Sequence, residues 1–278
     1  MLGVILTSIS TFFQEVSASI GKDGVERRMQ GIYTMGFLNS FLTILIFGFL
    51  IVVAGQKFVF SFASLPTVGL RMVLELFQAD ISVRATVAAD RSTFSFIRIL
   101  TIPLLLSIDL FLGYKISSSQ LSGILLIAFA LVFIFMARDI KKVGVKLVLF
   151  TAVNAAFTIS LFKYNITHFN SVAAEQSIFY FFILLYFFFS AYFRSGENPF
   201  RFLKKPRFFL QSSANGAGGI LQSFAYVFAP ASVILAAERS TAIFWSTLSG
   251  NLYFKEKSFW LKAALMLMIV AGVILLAR

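Results

Sequence analysis

The sequence predicts an all-α polytopic membrane protein, with ten transmembrane helices arranged as two inverted five-helix repeats. Three observations carry that reading. The 278 residues are 59% hydrophobic and only 13% charged, at a mean hydropathy of +0.88, a balance no soluble domain needs. Apolar stretches of about 20 residues, the length that crosses a bilayer, succeed one another along the whole chain. A hexapeptide nearly repeats itself half a chain apart, as Ala88-Ala89-Asp90-Arg91-Ser92-Thr93 and Ala236-Ala237-Glu238-Arg239-Ser240-Thr241.

The apolar segments lie near 2–20, 32–55, 64–82, 86–113, 118–137, 143–163, 171–193, 207–228, 232–254 and 259–277. The fourth is long and contains Pro103, which predicts a kink or break. The longest polar connection runs from Arg194 to Pro206, too short for a separate soluble domain. The first segment has no basic leader and reads as a retained helix. Phenylalanine supplies 36 residues and cysteine none, so disulfides and thiolate chemistry are excluded.

The repeat extends without a gap from Leu76–Thr93 against Phe224–Thr241, at an offset of 148. It divides the chain into 1–140 and 141–278. Five helices is an odd number, so the second copy enters the membrane in the opposite sense. The net charge of +12 belongs to loops rather than to a nucleic-acid surface. Basic residues collect after odd-numbered helices, including Arg27, Arg28, Arg84, Arg138, Lys141, Lys142, Arg201, Lys204, Lys205, Lys255 and Lys257. The positive-inside bias then sets these loops in the cytoplasm and both termini outside.

Charge within an apolar span marks a site or a pathway. Thr7, Thr11, Glu15 and Ser19 recur every fourth residue, one polar stripe on the first helix. Glu15 reads as a protonatable coupling carboxyl, or as an acid paired with a neighbouring base. Asp90-Arg91 and Glu238-Arg239 read as gates or cavity lining, or as snorkelling arginines with helix-capping acids. Neighbours on a helix point about 100° apart, so neither pair is expected to close on itself. Arg98 lies two turns beyond Asp90 on a similar face and suits an anionic group. Arg71 and Glu75 form an i,i+4 pair with Gln78 beside them. Asn154 and Thr158 give the sixth helix a polar stripe without an acid, and Gln211, Asn215 and Gln222 do the same for the eighth. Thr11, Arg71, Glu75, Asn154, Asn215, Gln222 and Trp245 are assigned to the cavity wall. Asn215-Gly216-Ala217-Gly218-Gly219 means close helix packing or a broken helix. Glu175-Gln176 reads as an acid opening the seventh helix. No metal spacing, phosphate loop or nucleophile–base set is found, so no enzyme and no cofactor is expected.

The pattern resembles the drug/metabolite transporter superfamily in its ten-helix EamA form. The family joins the last two helices of each repeat through a glycine–acid–basic turn. Gly113-Tyr114-Lys115, followed by Gly123, and Lys255-Glu256-Lys257 stand at those turns, with Tyr114 for the acid and Lys255 for the glycine. Ala229-Pro230-Ala231-Ser232 looks like the family's turn before the ninth helix. Gln14-Glu15-Val16 with Lys22 is similar to the first helix of the small multidrug resistance branch, where an acid binds protons and substrate. The resemblance implies both termini inside, opposite to the charge count. The expectation is a secondary transporter in the plasma (inner) membrane. It moves a small polar or zwitterionic solute by alternating access, with protons or exchange as the driver. Partners are the solute and membrane lipid, with no nucleic acid, and oligomeric state stays open. The rival expectation is a flippase for a lipid-linked substrate or a non-transporting scaffold subunit.

The absence of native cysteine makes orientation directly testable. A single cysteine at Ser195 should label in intact cells only with membrane-permeant reagents, and one at Ser117 with impermeant reagents too. The reverse pattern would put the termini inside.

Overall fold

The computed structural model describes residues 2–111, 118–136, 143–228, 231–256 and 259–276. All regular structure in them is helical: α1 (Leu2–Glu26), α2 (Ile32–Val52), a 3-10 turn (Phe62–Ser64), α3 (Leu65–Ala88), α4 (Arg91–Arg98), α5 (Thr101–Phe111), α6 (Ser118–Met136), α7 (Val145–His168), α8 (Val172–Ser195), the short α9 (Phe200–Leu203), α10 (Pro206–Phe228), α11 (Ala231–Leu252) and α12 (Phe259–Leu276). Among the described residues α2, α7 and α8 are long and apolar enough to cross a bilayer. Phe49, Phe193, Phe209, Leu267 and Trp260 project from the bundle's exterior, an apolar surface suited to lipid rather than water. This is the architecture of a helical membrane protein.

The predicted fourth helix is two helices, α4 and α5, broken at Ile99-Leu100. Pro103 falls in the first turn of α5, where its missing N–H is tolerated. The break follows Arg98 and leaves that arginine at the end of a two-turn helix in the bundle interior.

Packing is by paired rods. α1 lies against α10 and α11, and α7 against α3, α4 and α5; α2 pairs with α8, α6 with α12, and α4 with α11. Boundaries recur along the chain. Glu26 and His168 end helices 142 residues apart; Ile32 and Val172 begin helices 140 apart, and Leu65 and Pro206 141 apart. The hexapeptides do not follow this register. Ala88–Thr93 crosses the α3–α4 junction, with Asp90 as the residue before α4, whereas Ala236–Thr241 lies within α11. The matched sequences are displaced by about seven residues, two helical turns.

The glycine-rich stretch of α10 is unbroken helix. A Cβ on Gly218 would lie 3.0 Å from Ser10 O and 2.9 Å from Gln14 Cγ of α1, and one on Gly216 3.2 Å from the Leu42 carbonyl carbon of α2. The small residues let three helices approach, and Ser10 Oγ donates to Gly218 O at 2.7 Å. Asn215, expected in the cavity wall, instead donates its amide to Asn39 O of α2. Of the turns that carry the family resemblance, Gly113-Tyr114-Lys115 and Ala229-Pro230 lie outside the described residues.

Gly218→Val should destabilise the purified protein by about 1–3 kcal/mol through overpacking against α1, read as a lower unfolding temperature in detergent. Gly48→Val meets open space and should leave that temperature unchanged.

Candidate functional site

Three polar assemblies lie along the bundle: a network at each end and a cavity between them. The first is built between the second half of α1, the end of α11 and the start of α4. Arg91, buried to 3% exposure, reaches Glu15 of α1 with two hydrogen bonds, Nε to Oε1 at 3.0 Å and Nη2 to Oε2 at 2.7 Å. Ser249 of α11 donates to Glu15 Oε1 at 2.5 Å and Ser19 at 3.1 Å. Glu256, in the α11–α12 link, accepts from the backbone N–H of Arg91 at 2.5 Å, from the Ser92 hydroxyl and from Lys262 at 3.0 Å. It supplies an anion where the α4 N-terminus leaves unsatisfied donors. Lys22 donates to Ala89 O. Burial pushes the Glu256 carboxyl up, but Ser92, the Lys262 ammonium and the Arg91 N–H outweigh it and hold it below its ordinary value of 4.5.

The chain approaches Glu256 through Lys255, whose φ is +51°. That left-handed region favours glycine, and this is the position where the sequence carries lysine in place of the expected glycine. Gly250 also gives way to the loop, since a Cβ there would lie 2.6 Å from a Glu256 oxygen.

The second network lies where α3 begins and α7 finishes. Glu175, wholly buried, accepts from Arg71 Nη1 at 2.8 Å, Asn165 at 2.8 Å and Asn170 at 2.6 Å. Thr67 donates to Asn165 at 2.6 Å, and Asn170 accepts from the Ser61 N–H at 2.9 Å. The Arg71 guanidinium sits 3.9 Å from the Phe179 ring centroid and 4.5 Å from that of Phe162. The expected i,i+4 partner, Glu75, is a longer contact at 3.4 Å. Glu175 is thus an interior counter-ion and not simply an acid at a helix opening.

Between them lies a cavity of about 230 Å³. Arg71, Glu75, Arg98, Gln222, Glu238 and Arg239 line it, with Gln14, Gln78, Gln176, Tyr180 and Tyr226. Glu238 accepts from Gln222 at 2.9 Å and from Arg239 Nη1 at 2.5 Å. That adjacent pair does close, contrary to the expectation from the 100° offset, because the long arginine side chain folds back along the helix. Arg239 is 1% exposed, so it does not snorkel to a headgroup. Its Nε and Nη2 are buried with no hydrogen-bond partner.

The other predicted site residues fall elsewhere. Glu15 and Arg91 belong to the first network and do not line the cavity. Asp90 precedes α4 in the α3–α4 link. Thr11 donates to Thr241 at 2.9 Å, tying α1 to α11. Asn154 donates to Leu74 O and to Gln78, both at 2.9 Å, tying α7 to α3. Trp245 packs edge-on against Phe12, 4.9 Å between centroids. It lines a separate, largely apolar groove of about 550 Å³ between α1, α10 and α11, with Glu15 and Ser249 at its floor. The sequence reading missed Gln14, Gln176, Tyr180 and Tyr226 as cavity residues. Gln176 adjoins the conspicuous Glu175, which was its available signal; the tyrosines carry none amid so many aromatics.

No protein-family model matches this chain, and no curated protein matches it.

Arg91→Leu would leave Glu15 buried without its counter-charge, and should destabilise by about 3–5 kcal/mol. The paired change Glu15→Gln with Arg91→Gln should recover part of the loss, measured as unfolding temperature. The lowered Glu256 carboxyl stabilises the fold above its ordinary value of 4.5. That contribution is lost as pH falls through its lower folded value. Glu256→Gln should flatten this acid limb of stability against pH, and an unaltered limb would mean other carboxyls set it.

Proposed function

We propose that this chain is a secondary active transporter that moves a small polar metabolite by alternating access, akin to the ten-helix drug/metabolite transporters. One observation carries the reading: a cavity lined by five charged side chains sits in an apolar bundle, bounded toward each end by a polar network. Intramembrane charge grouped around a cavity is the signature of a solute pathway. Each network joins helices that must separate if that end opens, α1 from α4 and α11 at one, α3 from α7 and α8 at the other. Breaking one while keeping the other is the alternation transport requires.

Inverted duplication fits the same facts. Exchanging the first five rods for the last five turns the α1 contacts with α10 and α11 into the α7 contacts with α3 and α4. It returns the α2–α8, α6–α12 and α4–α11 pairs to themselves. The 140–143 residue recurrence of the boundaries supports the same axis. In that register Arg98 corresponds to Arg239, and both line the cavity. The Lys255-Glu256 turn supports the family likeness, with a glycine-favouring backbone at the glycine position.

Proton coupling is assigned to Glu15. With the first network closed it is paired with Arg91, and opening that end separates the two. Glu15→Gln should abolish uphill accumulation in proteoliposomes under an imposed pH gradient while exchange persists. Undiminished accumulation would remove Glu15 from the coupling step.

The apolar groove beside Glu15 favours a second reading, a flippase whose lipid-linked substrate would lie in it. Paired cysteines decide. At Ser249 in the first network and at Thr67 in the second, labelling should change in opposite directions when a water-soluble solute is added. Change only with a lipid-linked solute would favour the flippase.

A further inference from the structure

The charges around the cavity do not cancel pairwise. Arg239 is matched by Glu238 at 2.5 Å, and Arg71 by Glu175 at 2.8 Å. Two groups are left over. Arg98 faces the cavity, and among the described residues its guanidinium has neither a direct ion pair nor a hydrogen bond; the Phe94 ring centroid lies 5.4 Å from it. Glu75 also faces the cavity, with its side chain 20% exposed and a single contact at 3.4 Å from an arginine already held more closely by Glu175. A surplus cation and a surplus anion share one small, mostly desolvated space without meeting. Each ion carries a desolvation penalty that the protein offsets only in part, Glu75 through the 3.4 Å contact with Arg71 and Arg98 through the field of Glu238 across the cavity.

We propose that a zwitterion completes this site in one orientation, its anionic group on Arg98 and its cationic group on Glu75. This rests on the transporter reading and names the solute class for the same cavity. The anion's second set of donors is Arg239, whose Nε and Nη2 are buried and unpartnered. Two guanidinium groups converging on one site suit a carboxylate, which takes charge-assisted bonds in a fork geometry. Glu75 retains acceptor capacity for an ammonium, since an ionised carboxylate accepts about four bonds. The volume of about 230 Å³ suits a solute on the scale of a free amino acid. A lone anion would leave Glu75 with only its 3.4 Å contact to the shared Arg71, and a lone cation would leave Arg98 without a direct ion pair.

The test uses the full chain purified in detergent. Each of the twenty standard amino acids is compared with its deaminated acid and its decarboxylated amine, by thermal shift and by calorimetric titration. At least one amino acid should bind, with both analogues about tenfold or more weaker, as expected for loss of a charge-assisted bond. In Glu75→Gln that amino acid should bind no better than its deaminated analogue. In Arg98→Gln it should bind no better than its decarboxylated one, and Arg98→Lys should recover part of the preference. This crossed pattern is one that a folding defect does not produce. An analogue equal to its amino acid in the parent protein, or no binding by any amino acid, overturns the proposal. Uptake into proteoliposomes separates the two levels. A solute of single charge that is taken up, indifferent to Glu75→Gln or to Arg98→Gln, defeats the zwitterion and leaves the transporter. An amino acid bound with the crossed pattern but never taken up defeats the transporter and leaves the site.

Discussion

A guanidinium removed from water must find a counter-charge, and that constraint organises the interior of this bundle. Three buried arginines each have a carboxylate: Arg91 has Glu15, Arg71 has Glu175, and Arg239 has Glu238. The first two pairs join different helices, so they fix which helices lie together. An apolar contact between two helices in lipid gains little from exclusion of water. A paired charge, by contrast, strongly penalises separation of its partners. The ion pairs therefore act as register pins, while the leucine, isoleucine and phenylalanine clusters fill the space around them.

The same reasoning explains why the fourth rod is broken. Arg91 opens α4 and Arg98 closes it, seven residues on and on nearly the same face. Arg91 is fixed by Glu15 while its backbone N–H meets Glu256. The break at Ile99-Leu100 separates α4, which packs mainly on α11 and α7, from α5, which packs mainly on α7. A continuous helix would carry one axis past both.

Much of the fold was legible because membrane helices must satisfy their own backbone. Each of the ten apolar segments contains helix, and Pro103 marked the region of the break. The site was less legible, for two reasons. Polar residues on an apolar helix point either to a cavity or to another helix, and sequence periodicity does not distinguish them. Arg98, Glu75 and Gln222 face the cavity; Thr11, Asn154 and Asn215 are spent on neighbouring helices. The second reason is register. The hexapeptide drew attention to Arg91 and Arg239 as counterparts, whereas helix boundaries pair Arg98 with Arg239. A displacement of two turns preserves the helical face, so side-chain pattern alone accepts either alignment. Glu256 lay in plain view within a turn resembling the family's, but its role requires the α4 N-terminus, which is distant in sequence.

The two end networks differ in kind, and that difference bears on how the ends open. The first rests on charges from three separate elements: Glu15 of α1, Arg91 of α4, and Glu256 with Lys262 around the α11–α12 link. The second centres on Arg71 with Glu175, and with Glu75 at a longer contact, supported by neutral groups, with Asn165, Asn170 and Thr67 around Glu175. Opening the first exposes several ions to water at once, and hydration of those ions offsets much of the lost pairing. Opening the second would expose amides and hydroxyls with weaker hydration; its arginine, Arg71, is stacked against Phe162 and Phe179. In the proposed transport cycle the first end would respond to protonation, because a proton on Glu15 would remove the charge that pairs with Arg91. The second end would respond to what occupies the cavity, because Arg71 belongs at once to that network and to the cavity wall. A solute in contact with Glu75 would alter the field on Arg71 and, through it, the hold on Glu175. On that proposal one end would answer to protons and the other to solute, the division of labour that coupled transport needs.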